Sequence, residues 1–249
     1  SLLIWWIGQA GFIFKDSFGN ILLVDPYLSH SMEGVTYIHS EIPVKPDSIK
    51  ADCVFCSHDH IDHTDQPTLQ GLALAASKIR FYGPPSSVRK VMAFGIDPGR
   101  IREIKRGDKI NLEGGISVEA VYAEHTPDSV GFVFNFNGIS VYHTGDTEIG
   151  LERYLGNMKL LERLEPDVMI VCVNPGFNNL GPEDAARLTK FVMPKVVIPM
   201  HYDLIEENTI DPQIFLDALV REKVNVAPVV MKYGEKYTYI SGTRNRLQT

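Results

Sequence analysis

Cysteine is scarce in this chain of 249 residues, which contains three: Cys53, Cys56 and Cys172. Such a small, odd number excludes a disulfide framework and is typical of proteins from a reducing compartment. Cys53 and Cys56 have the spacing of half a zinc-binding motif, but no second cysteine pair exists, and residues three apart on a strand point to opposite faces. We therefore expect a cytoplasmic protein with buried, structural cysteines.

Long apolar segments are also missing. The longest apolar run near the start covers residues 2–7, far fewer than the roughly 20 residues that a helix needs to cross a bilayer. This run also lacks the basic flank and the cleavage site of a signal peptide. The sequence therefore predicts no association with a membrane.

Basic residues are outnumbered by acidic ones. The chain has 24 Lys and Arg against 31 Asp and Glu, which gives a formal net charge of −7. Proteins that bind nucleic acid need clustered basic side chains to neutralise phosphates. The charge therefore disfavours a nucleic-acid partner and favours a small-molecule substrate, and assembly into a homo-oligomer is left open.

The remaining composition is that of an ordinary globular protein, with 44% hydrophobic and 22% charged residues. The length permits one large domain or two small ones. No linker, repeat or low-complexity segment divides the chain. We therefore expect a single domain over residues 1–249.

Short strands dominate the first part of the chain, with predicted strands at 2–7, 12–15, 21–25 and 51–56. The second part alternates apolar strands with amphipathic helices. The predicted helices there cover 151–164, 182–192 and 211–220. This order indicates an α/β fold in which helices cover the sheets.

The densest group of potential metal ligands follows the apolar segment 51–56 and reads His-Asp-His-Ile-Asp-His over residues 58–63. In an extended segment, residues two apart point the same way, so His58 and His60 can hold one ion. Asp62 and His63, at the turn into a helix, then face a second position. These groups would be costly to bury without cations. A metal site is therefore predicted, and a solvated polar turn is the alternative.

Three more candidate ligands follow apolar strands later in the chain: His125, Asp146 and His201. In an open α/β sheet, site residues collect at the carboxyl ends of the strands. We therefore expect these three side chains to meet the 58–63 segment and complete one metal site.

The HxHxDH segment at 58–63, together with His125, Asp146 and His201, resembles the metal motif of the metallo-β-lactamase superfamily. The resemblance extends from about residue 5 to residue 202. More closely, the segments SHDHIDHTD, HTGDTEIG and VVIPMHYD look like the branch that includes L-ascorbate-6-phosphate lactonase and related metal-dependent hydrolases. This resemblance implies an αββα four-layer sandwich.

The resemblance also implies a dinuclear centre with zinc or manganese. The first ion would be held by three imidazoles: His58, His60 and His125. The second ion would be held by a carboxylate and two imidazoles: Asp62, His63 and His201. Asp146 would bridge the two ions, and Asp25 would support a ligand from behind.

The predicted activity is hydrolysis of an ester or lactone, with a phosphorylated sugar lactone as one candidate. A water between two such ions would be present as hydroxide near neutral pH and would attack the carbonyl carbon. Asp62 would orient the hydroxide and take its proton. His143 is a candidate proton carrier or else a buried structural histidine, and Asp203 is a candidate support for the neighbouring His201.

Two other functions remain open at this point. The same ligand set would suit a phosphodiesterase that acts on a small phosphodiester or a nucleic acid. A non-catalytic binding domain stabilised by metal is the third alternative.

Overall fold

Two seven-stranded sheets lie face to face in the computed structural model, which describes residues 1–147 and 164–242. The first sheet contains, in spatial order, β14 (Lys236–Tyr239), β1 (Leu2–Trp6), β2 (Phe12–Asp16), β3 (Ile21–Val24), β4 (Cys53–Phe55), β5 (Arg80–Gly83) and β6 (Ile101–Glu103). The second sheet contains β13 (Ala227–Pro228), β12 (Val196–Met200), β11 (Val168–Cys172), β10 (Ile139–His143), β9 (Val130–Phe136), β8 (Ile116–Tyr122) and β7 (Lys109–Asn111).

Both sheets are mixed. In the first sheet β14, β1, β2 and β3 pair antiparallel, and β3 to β6 pair parallel. In the second sheet β7 to β10 pair antiparallel, and β10 to β13 pair parallel. Because parallel strands end at the same edge of a sheet, the segments after β3, β4, β10, β11 and β12 are brought together there.

The core between the sheets forms from alternate residues of each strand. Leu22 and Val24 of β3 belong to this core, whereas Leu23 between them faces a separate cluster outside the first sheet. Phenylalanine rings fill the space between the sheets, for example Phe14 and Phe134 with ring centroids 5.6 Å apart. This alternation is what a sheet covered on both faces requires.

Helices cover the outer faces. α1 (Gln66–Ala75) and α2 (Pro85–Ala93) pack on the first sheet, and α3 (Pro182–Val192) and α4 (Pro212–Arg221) pack on the second. Asp65 caps α1, because its side chain accepts a hydrogen bond from the backbone N–H of Thr68 at 3.0 Å. Short 3-10 turns occupy Pro46–Ser48, Pro98–Arg100, Glu113–Gly115 and Glu206–Asn208. The predicted α/β, αββα four-layer sandwich is confirmed.

The predicted strands and the predicted helices among the described residues match the structure to within a few residues, and α3 matches its prediction at both ends. The predicted helix at 151–164 lies, up to residue 163, outside the described residues. For that reason the single domain over 1–249 stays a prediction. Among residues 1–147 and 164–242, no helix is both long enough and apolar enough to cross a membrane.

Candidate metal centre

The predicted site residues lie at the carboxyl ends of central strands of both sheets. Asp25 follows β3, the 58–63 segment follows β4, Asp146 follows β10 and His201 follows β12. Two of these positions, Asp25 (φ 42°) and His201 (φ 71°), have left-handed backbones. Non-glycine residues with positive φ are uncommon, and they concentrate at functional sites.

The 58–63 segment is a tight turn and not the extended chain that the spacing argument assumed. The backbone N–H of Thr64 donates to the carbonyl of His60 at 2.8 Å, and the Thr64 hydroxyl donates to the carbonyl of His58 at 2.7 Å. The turn still brings the two rings together, since the ring centroids of His58 and His60 are 4.5 Å apart.

The structure brings all seven predicted ligands into three overlapping groups of potential ligand atoms, each group within 4.8 Å. The groups are His58, His60 and His125; His58, His63 and Asp146; and Asp62, His63 and His201. The first and third groups share no residue, so they can hold two separate cations.

Asp146 lies between these two groups. Its Oδ2 is 3.4 Å from Nε2 of His63 and 3.8 Å from Nε2 of His125, and its Oδ1 is 3.2 Å from Nε2 of His201. One carboxylate oxygen therefore faces a member of each group. This is the position that a bridging ligand requires.

Several of these atoms are buried without a hydrogen-bond partner among the described residues. They are Nε2 of His58, His63 and His201, and Oδ1 of Asp146. A buried polar atom left unpaired costs about 1–3 kcal/mol, so four at one place would be expensive as a purely structural arrangement. The residues present therefore fit divalent cations, which accept lone pairs from imidazole nitrogen and carboxylate oxygen.

The opposite ring nitrogens are fixed by hydrogen bonds. Nδ1 of His63 donates to Oδ2 of Asp25 at 2.8 Å. The same carboxylate accepts from the backbone N–H and the hydroxyl of Ser57, each at 2.6 Å, and that hydroxyl lies 3.0 Å from Nδ1 of His58. Because these Nδ1 atoms face acceptors, the protons reside there and Nε2 is left free to bind a cation. Asp25 thus stands directly behind His63.

His125 is held in the same way from a different loop. Its Nδ1 lies 3.2 Å from the carbonyl oxygen of Asn178, and its Nε2 faces Nδ1 of His60 at 3.1 Å. Two facing ring nitrogens at this distance cannot both carry a proton. A cation between them would satisfy both.

The pKa values of two neighbouring rings in the cluster are shifted in opposite directions. Burial and the nearby His63 ring lower the pKa of His58 well below its usual value. Burial opposes the charge of His63 as well, but Asp146 and Asp62 overcome that effect and raise its pKa well above the usual value. The carboxylates that raise the pKa of His63 would equally favour a cation beside this ring.

Gln9 also belongs to the site, although the sequence analysis did not select it. It is fully buried in the turn after β1, with a left-handed backbone at φ 45°. Its Nε2 lies 3.4 Å from Oδ2 of Asp62 and 3.2 Å from Nδ1 of His201. Its carbonyl accepts hydrogen bonds from the backbone N–H of His201 and from the indole of Trp6. The one available signal was a polar side chain between two glycines.

Asn179 is a second residue of this kind. Its amide nitrogen donates to Oδ2 of Asp146 at 2.9 Å, and lies 3.3 Å from Oδ1 of Asn174. These contacts join the loop after β11 to the carboxylate between the two ligand groups.

The structure does not bring His143 or Asp203 into the ligand groups. His143 is buried, with Nε2 donating to the carbonyl of Ala10 at 2.9 Å and Nδ1 accepting from the N–H of Gly145 at 3.1 Å. Both ring nitrogens are therefore engaged: Nε2 holds the turn that contains Gln9, and Nδ1 holds the turn that precedes Asp146. Asp203 contacts His39 at 3.2 Å, and its side chain is 43% exposed.

A cavity of about 460 Å³ opens onto the ligand groups. Five of the predicted ligands line it: His60, Asp62, His125, Asp146 and His201. The rest of its wall comes from Ile61, in the segment after β4, and from the loops after β3, β11 and β12. The cavity is large enough for a small organic molecule.

Known proteins resemble this chain over nearly its whole length. A UPF0173 metal-dependent hydrolase from Archaeoglobus fulgidus is 29% identical over 252 residues, which cover 95% of this chain and 98% of that protein. Igni18, described as a novel metallo hydrolase from Ignicoccus hospitalis, superposes with a TM-score of 0.74 at 22% identity, covering 96% of this chain and 99% of its own. An isothiocyanate hydrolase from Delia radicum gut bacteria gives a TM-score of 0.74 at 18% identity, covering 95% and 98%.

At such low identity the two structures show a shared fold and no more. The family model described as the beta-lactamase superfamily domain matches residues 3–201, which are most of the chain and include every predicted ligand. The chain therefore belongs to the beta-lactamase superfamily domain family.

Proposed function

We propose that the protein is a metal-dependent hydrolase that cleaves a small ester or lactone. One observation carries this proposal. The Nε2 atoms of His58, His63 and His201 are buried without a hydrogen-bond partner among the described residues, and they converge around the Asp146 carboxylate at the base of an open cavity. The similarity to proteins named metal-dependent hydrolase supports the same reaction type.

The ligand groups support two cation positions. His58, His60 and His125 would hold one cation, while Asp62, His63 and His201 would hold the other. Asp146 would contribute to both. Nitrogen and oxygen ligands of this kind suit zinc or manganese. Divalent cations so held lower the pKa of a coordinated water toward neutrality and polarise a carbonyl oxygen.

Asp62 is the residue we assign to proton transfer. It lines the cavity, and its Oδ2 lies 3.6 Å from Nε2 of His201 and 3.7 Å from Nε2 of His63. The Gln9 amide holds the carboxylate from behind. Asp62 can therefore accept a proton from the attacking water at the cavity base and deliver it to the leaving oxygen. We assign no role in proton transfer to His143, because both of its ring nitrogens are already hydrogen-bonded.

An uncharged carbonyl substrate fits the cavity better than a phosphodiester. The described residues that line the cavity include no Lys or Arg, and they do include Glu207. A phosphodiester would bring a further negative charge beside Glu207, where the cations at the cavity base would attract it but no Lys or Arg of the wall would contact it. For the same reason we do not extend the proposal to the phosphorylated sugar lactone.

The test is turnover by protein reconstituted with zinc or manganese, on a panel of lactones and esters and on bis(p-nitrophenyl) phosphate. We expect turnover of lactones or esters and its loss in His60→Ala, with an unchanged circular dichroism spectrum. His39→Ala, at a histidine outside the ligand groups, is the matched control and should stay active. Turnover of the diester alone would refute the reaction type. Bound cations without any turnover would instead favour a non-catalytic binding domain.

A further inference from the structure

One side of the cavity is apolar, although its base is the ligand cluster. Five hydrophobic side chains from four segments contribute to this wall: Met32, Val35, Ile61, Phe177 and Ile205. A substrate whose carbonyl sits at the cations would place its remaining atoms against these side chains. The composition of the wall therefore bears on which substituents the substrate carries.

Phe177 is exposed to solvent, and its backbone has a disfavoured conformation. Its side chain is 66% exposed, and Gly176, Phe177 and Asn178 have consecutive left-handed φ angles of 110°, 51° and 61°. A bulky residue at positive φ is disfavoured and persists where the surroundings hold it. Here the loop is tied to the site, because the Asn178 carbonyl contacts the His125 ring and Asn179 contacts Asp146. The same contacts that organise the ligands thus present an aromatic ring to the cavity.

Ile61 presents a second exposed apolar group at the same place. It lies in sequence between the predicted ligands His60 and Asp62, and its side chain is 43% exposed. The tight turn that orients the two ligands therefore also directs an aliphatic side chain to the cavity. Exposed apolar groups beside a ligand cluster are typical of a surface that a ligand covers.

The wall that carries Met32 and Val35 is fixed in place. The neighbouring Thr36 donates from its backbone N–H and its hydroxyl to the Glu207 carboxylate, at 2.9 Å and 2.8 Å, and its carbonyl accepts from the N–H of Glu206. These bonds occupy both oxygens of Glu207, the one charged lining residue outside the ligand set among the described residues. The wall is therefore preformed and offers an anion no positive group there.

We infer that the substrate is an uncharged ester or lactone with an apolar substituent, and that Phe177 and Ile61 select it by contact with that substituent. This inference rests on the proposed function, because it concerns the same cavity. Burial of each methylene contributes a roughly constant free energy, which corresponds to an increase of about 3- to 4-fold in kcat/KM per methylene. The increase should stop once the chain extends beyond the cavity.

The test uses the metal-reconstituted protein and a series of γ-lactones whose linear alkyl substituent lengthens from none to hexyl, with a phosphorylated sugar-acid lactone for comparison. We expect kcat/KM to rise by about 3- to 4-fold per methylene over the first members. The phosphorylated lactone should be turned over more slowly than the butyl lactone.

Two variants assign the effect to the proposed residue. Phe177→Ala should flatten the dependence on chain length and reduce kcat/KM for the hexyl lactone by about 10-fold, while Phe177→Leu should restore part of it. The matched control is Phe18→Ala, at a phenylalanine that is 72% exposed and lines no part of this cavity. It should leave the whole series unchanged. Cation content, measured by mass spectrometry, should be the same in all of these proteins.

The outcomes separate the two proposals. Turnover of lactones without any chain-length dependence, or with preference for the phosphorylated lactone, would overturn this inference and leave the hydrolase proposal standing. An unchanged slope in Phe177→Ala would overturn the role of Phe177. Failure of the metal-loaded protein to hydrolyse any ester or lactone would overturn the proposed function, and this inference with it.

Discussion

Two buried carboxylates at opposite ends of the sandwich have very different surroundings. Asp167, at the amino end of β11, accepts hydrogen bonds from the Lys195 ammonium at 2.6 Å, the Tyr239 hydroxyl at 2.7 Å and the Ser140 N–H at 2.9 Å. Tyr239 belongs to β14 of the other sheet, so Asp167 joins the two sheets. Asp146, at the carboxyl end of β10, faces imidazole nitrogens instead, and one of its oxygens has no hydrogen-bond partner among the described residues.

The different surroundings of the two carboxylates separate the end of the sandwich that stabilises the fold from the end that binds a ligand. At the Asp167 end every carboxylate oxygen meets a donor, so burial costs little and the contacts stabilise the folded state. At the Asp146 end Oδ2 accepts a hydrogen bond from the Asn179 amide, but Oδ1 has no hydrogen-bond partner among the described residues. Imidazole lone pairs also converge there, which is unfavourable until a cation binds. One end therefore serves stability and the other serves a ligand, and substitutions at the two ends should separate these roles.

The largest expected effect comes from Asp146→Asn, which keeps the shape of the side chain and removes its charge. We expect kcat/KM on a lactone substrate to fall about 1000-fold, or ~4 kcal/mol, because a ligand shared by both cation positions is lost. Cation content should fall as well. The free energy of unfolding of the cation-free protein, measured in urea, should change less than in Asp167→Asn. Near-normal activity in Asp146→Asn would contradict the bridging role.

Asp167→Asn should give the opposite pattern. Loss of a buried carboxylate with three donors should lower the free energy of unfolding by about 2 kcal/mol, measured by urea denaturation. Activity at a temperature where the variant is folded should remain within about 2-fold of wild type, since the substitution is at the far end from the ligands. A large loss of activity in the folded variant would break the proposed division between the two ends.

Gln9→Leu should weaken cation binding without unfolding the protein. The Gln9 amide nitrogen lies 3.4 Å from Oδ2 of Asp62 and donates to that predicted ligand, and leucine cannot provide this donor. We expect a loss of about 10-fold in affinity for zinc, measured by competition with a chromophoric chelator. Gln213→Leu, at a helix surface away from the site, is the control. Equal affinities in the two variants would remove Gln9 from the metal centre.

The smallest effect is a dependence of stability on pH. Burial opposes ionisation of Asp167, but the hydrogen bonds from Lys195 and Ser140 outweigh it and lower the pKa. A lowered folded-state pKa stabilises the protein above the unfolded value of about 3.9, and this contribution is lost as pH falls through the folded-state pKa. The difference in unfolding free energy between wild type and Asp167→Asn should therefore narrow below about pH 4. A constant difference between pH 7 and pH 3 would argue against a charged Asp167.

The sequence allowed prediction of most ligands at the Asp146 end of the sandwich, but not of the contacts at the Asp167 end. The ligands at 58–63, His125, Asp146 and His201 could be selected because metal chemistry restricts residue type and strand ends restrict position. Gln9 could not, because its contacts with Asp62 and His201 join parts of the chain that only the folded structure brings together. The contact of Asp167 with Tyr239 of the other sheet could not be predicted either, because it also joins distant parts of the chain.

The fold was predictable where apolar patterns are long. β11 and β12 are buried along their whole length and read as continuous apolar runs. β6 and β7, at sheet edges, have three residues each, mostly exposed, and no alternation long enough to detect. Pairing with a neighbouring strand, and not the local sequence, determines where such short edge strands form, so they can be identified only in the assembled sheets.

The most direct test of the metal centre is an anomalous-difference map at the zinc absorption edge, from crystals of the zinc-loaded protein. We predict two peaks, one in contact with His58, His60 and His125 and the other with Asp62, His63 and His201. A map without peaks at these side chains, or with zinc bound elsewhere, would contradict the account.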